Sequence, residues 1–173
     1  MNKSCNRQLR EILSKREAVL LPGASNALTA RIIEDLGFKA IYVTGAGVTN
    51  TFLGVPDIGL ISMTELANHV SAMRDVVALP LIVDADTGFG NPLNVARTIR
   101  VLERSGANAI QLEDQEFPKR CGHFSGKDVI ASTDMNVAYF TDCCGVVVHT
   151  LSVSEMNLVI SSKLLRFSLV VLM

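Results

Sequence analysis

The chain has 173 residues, 49% of them hydrophobic and 19% charged, with a net charge of −1. That is enough for one domain with a real core, and the near-neutral balance gives no sign of a nucleic-acid surface or an acidic tail. No apolar run reaches the length of a membrane span, and Met1 to Glu17 lacks a signal-peptide core.

In chain order, Asn6 to Arg16 carries Leu9, Ile12 and Leu13 at helical spacing. Ala18 to Leu21 reads as a first strand stopped by Pro22-Gly23. Asn26 to Leu36 reads as a helix with Ala27, Ala30, Ile33 and Leu36 toward a core, ended by Gly37. Ala40 to Val43 is a second strand, followed by the turn Thr44-Gly45-Ala46-Gly47 and a loop through Gly54-Val55-Pro56-Asp57. Thr64 to Val77 is helical, with Leu66, Val70 and Met73 on one side. Leu81 to Asp84 is a third strand. Asn91 can cap the next helix, Pro92 to Ser105, in which Val95, Ile99 and Leu102 are in register. Ala109 to Leu112 is a fourth strand, ending in Glu113-Asp114. This βα alternation with short connections implies a parallel sheet, either a barrel or a doubly wound sheet. Beyond Ile130 the rhythm stops. Residues 131–142 are polar and without period, Gly145 to His149 has strand character, and 154–173 is apolar and serine-rich.

The stretch from Pro80 to Pro92 is the most informative. A buried strand ends in Asp84 and Asp86, and Gly88 and Gly90 then allow a tight turn. If the strand reaches that far, both acids share one face. Two carboxylates at the carboxyl end of a parallel strand sit where an α/β fold places a site, and Mg²⁺ suits such donors. Glu113 and Asp114 would bring further acids to a neighbouring strand end, where crowded carboxylates repel one another unless a cation intervenes. The bland alternatives are solvated, capping or salt-bridged acids.

The segment Gly45 to Asn50 has the first two glycines of a dinucleotide fingerprint and lacks the third. It reads instead as a backbone nest for a carboxylate, formed by Thr44 and the amides of Gly45 and Ala46, or as a plain turn. In Lys119-Arg120-Cys121-Gly122-His123, two cations and a histidine would favour a cysteine thiolate. The other cysteines, Cys5, Cys143 and Cys144, form no metal-binding pattern, which makes a reducing cytoplasmic setting the default, with an organellar address left open. His69 and His149 are assigned no role.

Five segments together resemble the isocitrate lyase/phosphoenolpyruvate mutase superfamily over about Val19 to Ile130. They are Tyr42 to Gly47, Leu53 to Gly59, Val83 to Gly90, Ile110 to Gln115 and Lys119 to His123, in order and at matching intervals. The resemblance implies a (β/α)₈ barrel with its site at the strand carboxyl ends, usually in a homotetramer with a swapped C-terminal helix. It implies Asp84 as the direct Mg²⁺ ligand (Mn²⁺ as a substitute), and Asp86 and Glu113 as acids holding the metal's water shell. Asp57 and Glu113 are implied as active-site acids. Tyr42, Thr44, Gly45 and Ala46, with Gly122 and His123 of the lid, are implied as substrate-binding, although the family often has Ser and Gly at the Thr44 and Ala46 positions. Cys121 matches the lid cysteine of the lyase branch, the acid for the leaving carbanion.

The implied activity is a Mg²⁺-dependent carbon–carbon cleavage of a small 2-hydroxy or 2-oxo dicarboxylate. Nucleic acid and membrane are not expected partners. The Phe117 to Gly126 stretch most resembles enzymes of the 2,3-dimethylmalate lyase and petal-death type, while phosphonate chemistry of the carboxyvinyl-carboxyphosphonate phosphorylmutase type is the alternative. A complete barrel takes roughly 200 residues or more. The expectation is therefore a first half-barrel over 1–130, about four βα units, with a divergent tail over 131–173. As such it is expected to be a truncated, inactive form, with an exposed edge at Ala109 to Leu112 that Val146 to Val148 would cover only in part.

Overall fold

In the computed structural model, residues 3–121, 126, 128–130, 147–151 and 169–172 are described. The elements are α1 (Lys3–Ser14), β1 (Val19–Ala24), α2 (Ala27–Asp35), β2 (Ile41–Val43), α3 (Gly45–Val48), a π-helical turn (Thr49–Leu53), α4 (Met63–Val76), β3 (Leu81–Asp84), α5 (Pro92–Ser105), β4 (Ala109–Glu113), β5 (Val147–Leu151) and β6 (Leu169–Leu172). Six parallel strands form one sheet in the order β5-β4-β3-β2-β1-β6. Strands β1 to β5 are spatial neighbours in sequence order. A doubly wound sheet would reverse direction at a switch point. Here successive crossovers run the same way, so the crossover helices α2, α4 and α5 collect on one face, as in a (β/α)₈ barrel.

Side-chain alternation confirms the two faces. Ile41, Val43, Leu81, Val83, Ile110 and Leu112 pack with Leu66, Val70 and Met73 of α4 and Val95, Ile99 and Leu102 of α5. The opposite face carries Tyr42, Ile82 and Ala109, and these pack with Leu9 of α1 and Leu21 of β1. The strands read as continuous apolar runs because both faces are covered. Each fully buried Leu, Ile or Met of this core contributes about 1.5–3 kcal/mol.

Local signals set the helix ends. Asn26 Oδ1 accepts from the Thr29 N–H at 2.9 Å, opening α2. Ser62 and Glu65 form a reciprocal capping box at α4, and Asn91 and Asn94 do the same at α5, where Pro92 takes the first turn. Among the described residues no helix is long and apolar enough to cross a membrane.

Several expectations are corrected. Pro22-Gly23 does not stop β1. The strand runs to Ala24 because it changes partner there, pairing with β6 through Val19–Pro22 and with β2 through Gly23–Ala24. Leu36 is 69% exposed, since it follows the last turn of α2 and leaves the packed stripe. The Thr44 to Gly47 turn is helical. Thr44 accepts from the Gly47 N–H at 3.1 Å and starts α3, which runs on into the π-helical turn. The edge of β4 is not unpaired. Ala109–Glu113 pairs along its length with Val147–Leu151, two residues beyond where the strand was expected to start. Residues 131–146 and 152–168, with Cys143 and Cys144, lie outside the described residues.

Gly88 positions the loop that follows Asp86. It lies at φ +87, and a Cβ there would stand 2.6 Å from Val95 Cγ2, in the buried contact between loop and α5. Gly37, at φ +81, has nothing within 4 Å. Gly37→Ala should therefore cost about 1–2 kcal/mol, the backbone term alone. Gly88→Ala should cost about 2–4 kcal/mol, adding an overpacking term. Denaturant unfolding of both variants checks the difference; equal losses would mean that the Val95 contact yields freely.

Candidate active site

The inner face of the sheet ends in acids. Alternation along β3 puts Asp84 on the Ile82 side, and alternation along β4 puts Glu113 on the Ala109 side. Asp57, Asp84, Asp86 and Glu113 are all buried, at 4–8% exposure. Asp86 arrives by a different route from the one expected. The strand stops at Asp84, and Asp86 takes a left-handed φ of 49°, which Asp tolerates better than most residues. The turn is stitched by the Asp86 N–H to Asp84 Oδ1 at 3.2 Å, and the Asp86 carbonyl accepts from the Glu113 N–H at 2.8 Å.

Strand β2 delivers the neighbouring groups. Tyr42 is buried, close enough to Asp84, Glu113 and Asp86 for their charges to raise its hydroxyl pKa. The first turn of α3 lies directly against the acids. The Gly45 N–H donates to Asp84 Oδ2 at 3.3 Å, and a Cβ on Gly45 would stand 3.2 Å from Asp84 Oδ2 and 3.3 Å from Asp86 Oδ1. Only a residue without a side chain lets the helix come so close. Gly45 thus serves the cluster rather than an open nest. Thr44 caps α3, and Ala46 is half-buried in its first turn.

Lys119 is the group that the sequence pattern did not single out. It was read as one of two cations beside Cys121, yet it is 3% exposed, and its Nζ reaches Asp57 Oδ2 at 2.8 Å and Asp86 Oδ1 at 2.5 Å. Its stem passes Gly59, where a Cβ would meet Lys119 Cγ at 3.2 Å. Gln115 was also missed. It is buried beside Glu113 and hydrogen-bonds both Glu113 and the backbone of Arg120. A cation or amide close behind a strand-ending acid was the available signal, but its direction depends on the loop.

The loop itself is tied down at Cys121, whose N–H donates to the Asp57 carbonyl at 3.0 Å. Arg120 is exposed and Cys121 half-buried. Gly122 and His123 lie outside the described residues. Asp114 is half-buried, and its carbonyl accepts from the Ile130 N–H. His69 stacks edge-on against Phe52 at 5.1 Å, a packing role.

The electrostatics follow from burial. Asp86 and Glu113 are each pushed up to about 7, first by burial and then by the charge of Asp84. Burial likewise raises Asp84, against the pull of Lys119. Tyr42 lies well above its ordinary value, through burial and then the neighbouring Asp84 and Glu113. Burial alone would lower Lys119, but Asp86, Asp57 and Asp84 outweigh it and hold the ammonium charged. One lysine therefore faces four acids, and the cluster carries more carboxylate than it can neutralise. Asp57 Oδ1 is buried without a hydrogen-bond partner.

Among the described residues, no three His, Cys, Asp or Glu side chains already converge on a common ion position. The donor set nevertheless fits a hard divalent cation of the Mg²⁺ kind, which takes one or two carboxylates and keeps several waters. A second positive centre would lower all three raised carboxyl groups.

Comparison with known proteins agrees with this geometry. The family described as phosphoenolpyruvate phosphomutase matches residues 9–161. The chain is 47% identical over 128 residues to 2,3-dimethylmalate lyase of Eubacterium barkeri, covering 74% of this chain and 44% of that protein. It is 52% identical over 127 residues to 2-methylisocitrate lyase of Aeropyrum pernix, covering 73% and 41%. Among solved structures, oxaloacetate acetylhydrolase in complex with 3,3-difluorooxalacetate superimposes with a TM-score of 0.81 at 35% identity, over 90% of this chain and 56% of that one. Phosphonopyruvate hydrolase in complex with oxalate and Mg²⁺ gives 0.69 at 32%, over 77% and 45%. The chain thus spans about half the length of the proteins it matches. A family match over most of the chain, a sheet wound in one direction and acids gathered at the strand carboxyl ends point the same way: the chain belongs to the phosphoenolpyruvate mutase/isocitrate lyase superfamily.

Proposed function

We propose that this chain carries the metal-and-lid half of a Mg²⁺-dependent carbon–carbon lyase acting on a small 2-hydroxy or 2-oxo dicarboxylate. The observation that carries the proposal is the buried acid cluster, joined by Lys119 from the segment that bears Cys121. The names of the matching relatives, lyases and hydrolases of small carboxylates, support the reaction class. Mg²⁺ and oxalate in the phosphonopyruvate hydrolase structure support the ion.

In this reading Asp84 is the direct ligand, and Asp86 and Glu113 hold the ion's water shell. Bound there, Mg²⁺ supplies Lewis-acid polarisation of the substrate oxygen. The rest falls to the protein's own groups. Tyr42, Thr44, Gly45 and Ala46 line the place for the substrate's carboxylate. Asp57 offers Oδ1 as an acceptor for the hydroxyl proton. Cys121 delivers its proton to the carbon released by bond cleavage, and the loop keeps water from that carbanion. Gly122 and His123 are assigned to substrate binding. We place the barrel half at 1–130 and the divergent tail at 131–173, and we take the family's tetramer as the assembly.

A second reading has the same site without turnover. It is favoured by the order of the described strands, which has β5 at one end and β6 at the other. Incubation with Mg²⁺ and 2-hydroxy dicarboxylates, followed by detection of the cleaved oxo-acid, separates the two. Turnover supports the lyase, and binding without turnover supports the second reading.

Two predictions follow from the assignment. Calorimetry should detect Mg²⁺ binding to the chain. Asp84→Ala should abolish it, while Asp86→Ala should weaken it by about 10–100-fold, as groups acting through water do. Equal effects of the two substitutions would remove the distinction between ligand and shell. In a protein of the relatives' length that keeps this sequence over 1–130, Cys121→Ser should lower kcat by about 10²–10⁴-fold with Mg²⁺ affinity unchanged. Wild-type turnover in that variant would rule out the thiol as the acid.

A further inference from the structure

The loop that carries Lys119 and Cys121 leaves and re-enters the fold through a short antiparallel ribbon. The Glu116 N–H donates to the Asp128 carbonyl at 2.8 Å, the Ile130 N–H donates to the Asp114 carbonyl at 2.9 Å, and Gln115 bridges Val129 between them. The ribbon fixes the backbone of Gln115, whose side chain is 4% exposed. Its amide then makes three bonds at once. Nε2 donates to Glu113 Oε2 at 2.5 Å and to the Arg120 carbonyl at 2.9 Å, and Oε1 accepts from the Arg120 N–H at 3.1 Å. The two bonds to Arg120 reproduce the exchange of N–H and C=O that two paired strands make. The third reaches into the acid cluster.

We propose that Gln115 is a positioning residue that makes the placement of Lys119 and Cys121 follow the state of Glu113. The inference rests on the metal reading above and extends it to the lid. Arg120 lies between Lys119, whose ammonium is held by Asp57 and Asp86, and Cys121, whose amide is held by Asp57. Whatever shifts Glu113 acts on Gln115 Nε2, and through the rigid carboxamide on the Arg120 backbone. A carboxamide is required because both its donor and its acceptor are used. Leucine in its place would make none of the three bonds. Glutamate would keep an acceptor for the Arg120 N–H, lose both donations, and set a second carboxylate against Glu113.

The test uses the whole 173-residue chain and Mg²⁺ alone as the probe. Mg²⁺ affinity is measured by calorimetry on wild type, Gln115→Leu and Gln115→Glu. Iodoacetamide labelling of Cys121 is followed by peptide mass spectrometry, with and without saturating Mg²⁺, and with the buried Cys5 as internal reference. In wild type, Mg²⁺ should change the Cys121 labelling rate by about threefold or more, the rate being set by thiolate character and access. In both variants Mg²⁺ should still bind, within about tenfold of wild type for a group acting at second hand, but the labelling rate should no longer respond. Hydrogen exchange at the Arg120 amide, faster in Gln115→Leu than in wild type, reports loss of the clamp independently of any metal. If a folded variant keeps the wild-type Mg²⁺ response, the positioning role is overturned and the metal reading stands. If wild type does not bind Mg²⁺, the metal reading falls and the coupling falls with it.

Discussion

The ammonium of Lys119 among buried carboxylates is the interaction on which the rest of this site depends. Burial and mutual repulsion raise Asp84, Asp86 and Glu113, because buried carboxylates lose hydration and repel one another. Lys119 reaches Asp57 and Asp86 directly and so keeps the group charged enough to remain polar. Removing one partner from a buried ion pair commonly costs about 3–5 kcal/mol, because the other is left uncompensated. The lysine also belongs to the loop that bears Cys121. The charge that steadies the acids therefore also holds the segment that leads to Cys121.

The architecture explains why the acids meet. A sheet wound in one direction has a single inner face, and every second residue of each strand looks into it. At the amino ends of the strands that face is apolar and is closed by α1, where Leu9 packs with Tyr42, Ile82 and Ala109. At the carboxyl ends the same alternation delivers Asp84 and Glu113. Tyr42 belongs to both, its side chain buried in the apolar cluster and its hydroxyl pKa raised by that burial and by the nearby charges of Asp84 and Glu113. The close approach of α3 to the acids depends on Gly45, because any side chain there would press on Asp84 and Asp86.

Function in such folds resides in the site and not in the barrel itself. The relatives named above include lyases and hydrolases, and in this chain the site-like feature is the acid cluster with Lys119 set into it.

The sequence by itself determined the elements through β4 and the identity of most of the acids. The apolar runs at Ile41, Leu81 and Ile110, the caps at Asn26 and Asn91, and the stripes of α4 and α5 are local in origin, so a linear reading suffices for them. Asp84 and Glu113 were legible for the same reason, as strand-ending residues. Leu36 and the helical turn at Gly45 were misread on local grounds, the end of α2 and the Thr44 cap, whereas the path of β1 past Pro22 is decided by strands distant in the chain. The destination of Lys119 and the clamp formed by Gln115 were decided by tertiary structure alone. A loop residue has no periodicity to reveal its direction, and both side chains are aimed by partners that only the folded sheet brings within reach. Asp86 lies between the two cases: its identity was plain in the sequence, but its left-handed backbone, not strand alternation, turns it into the cluster.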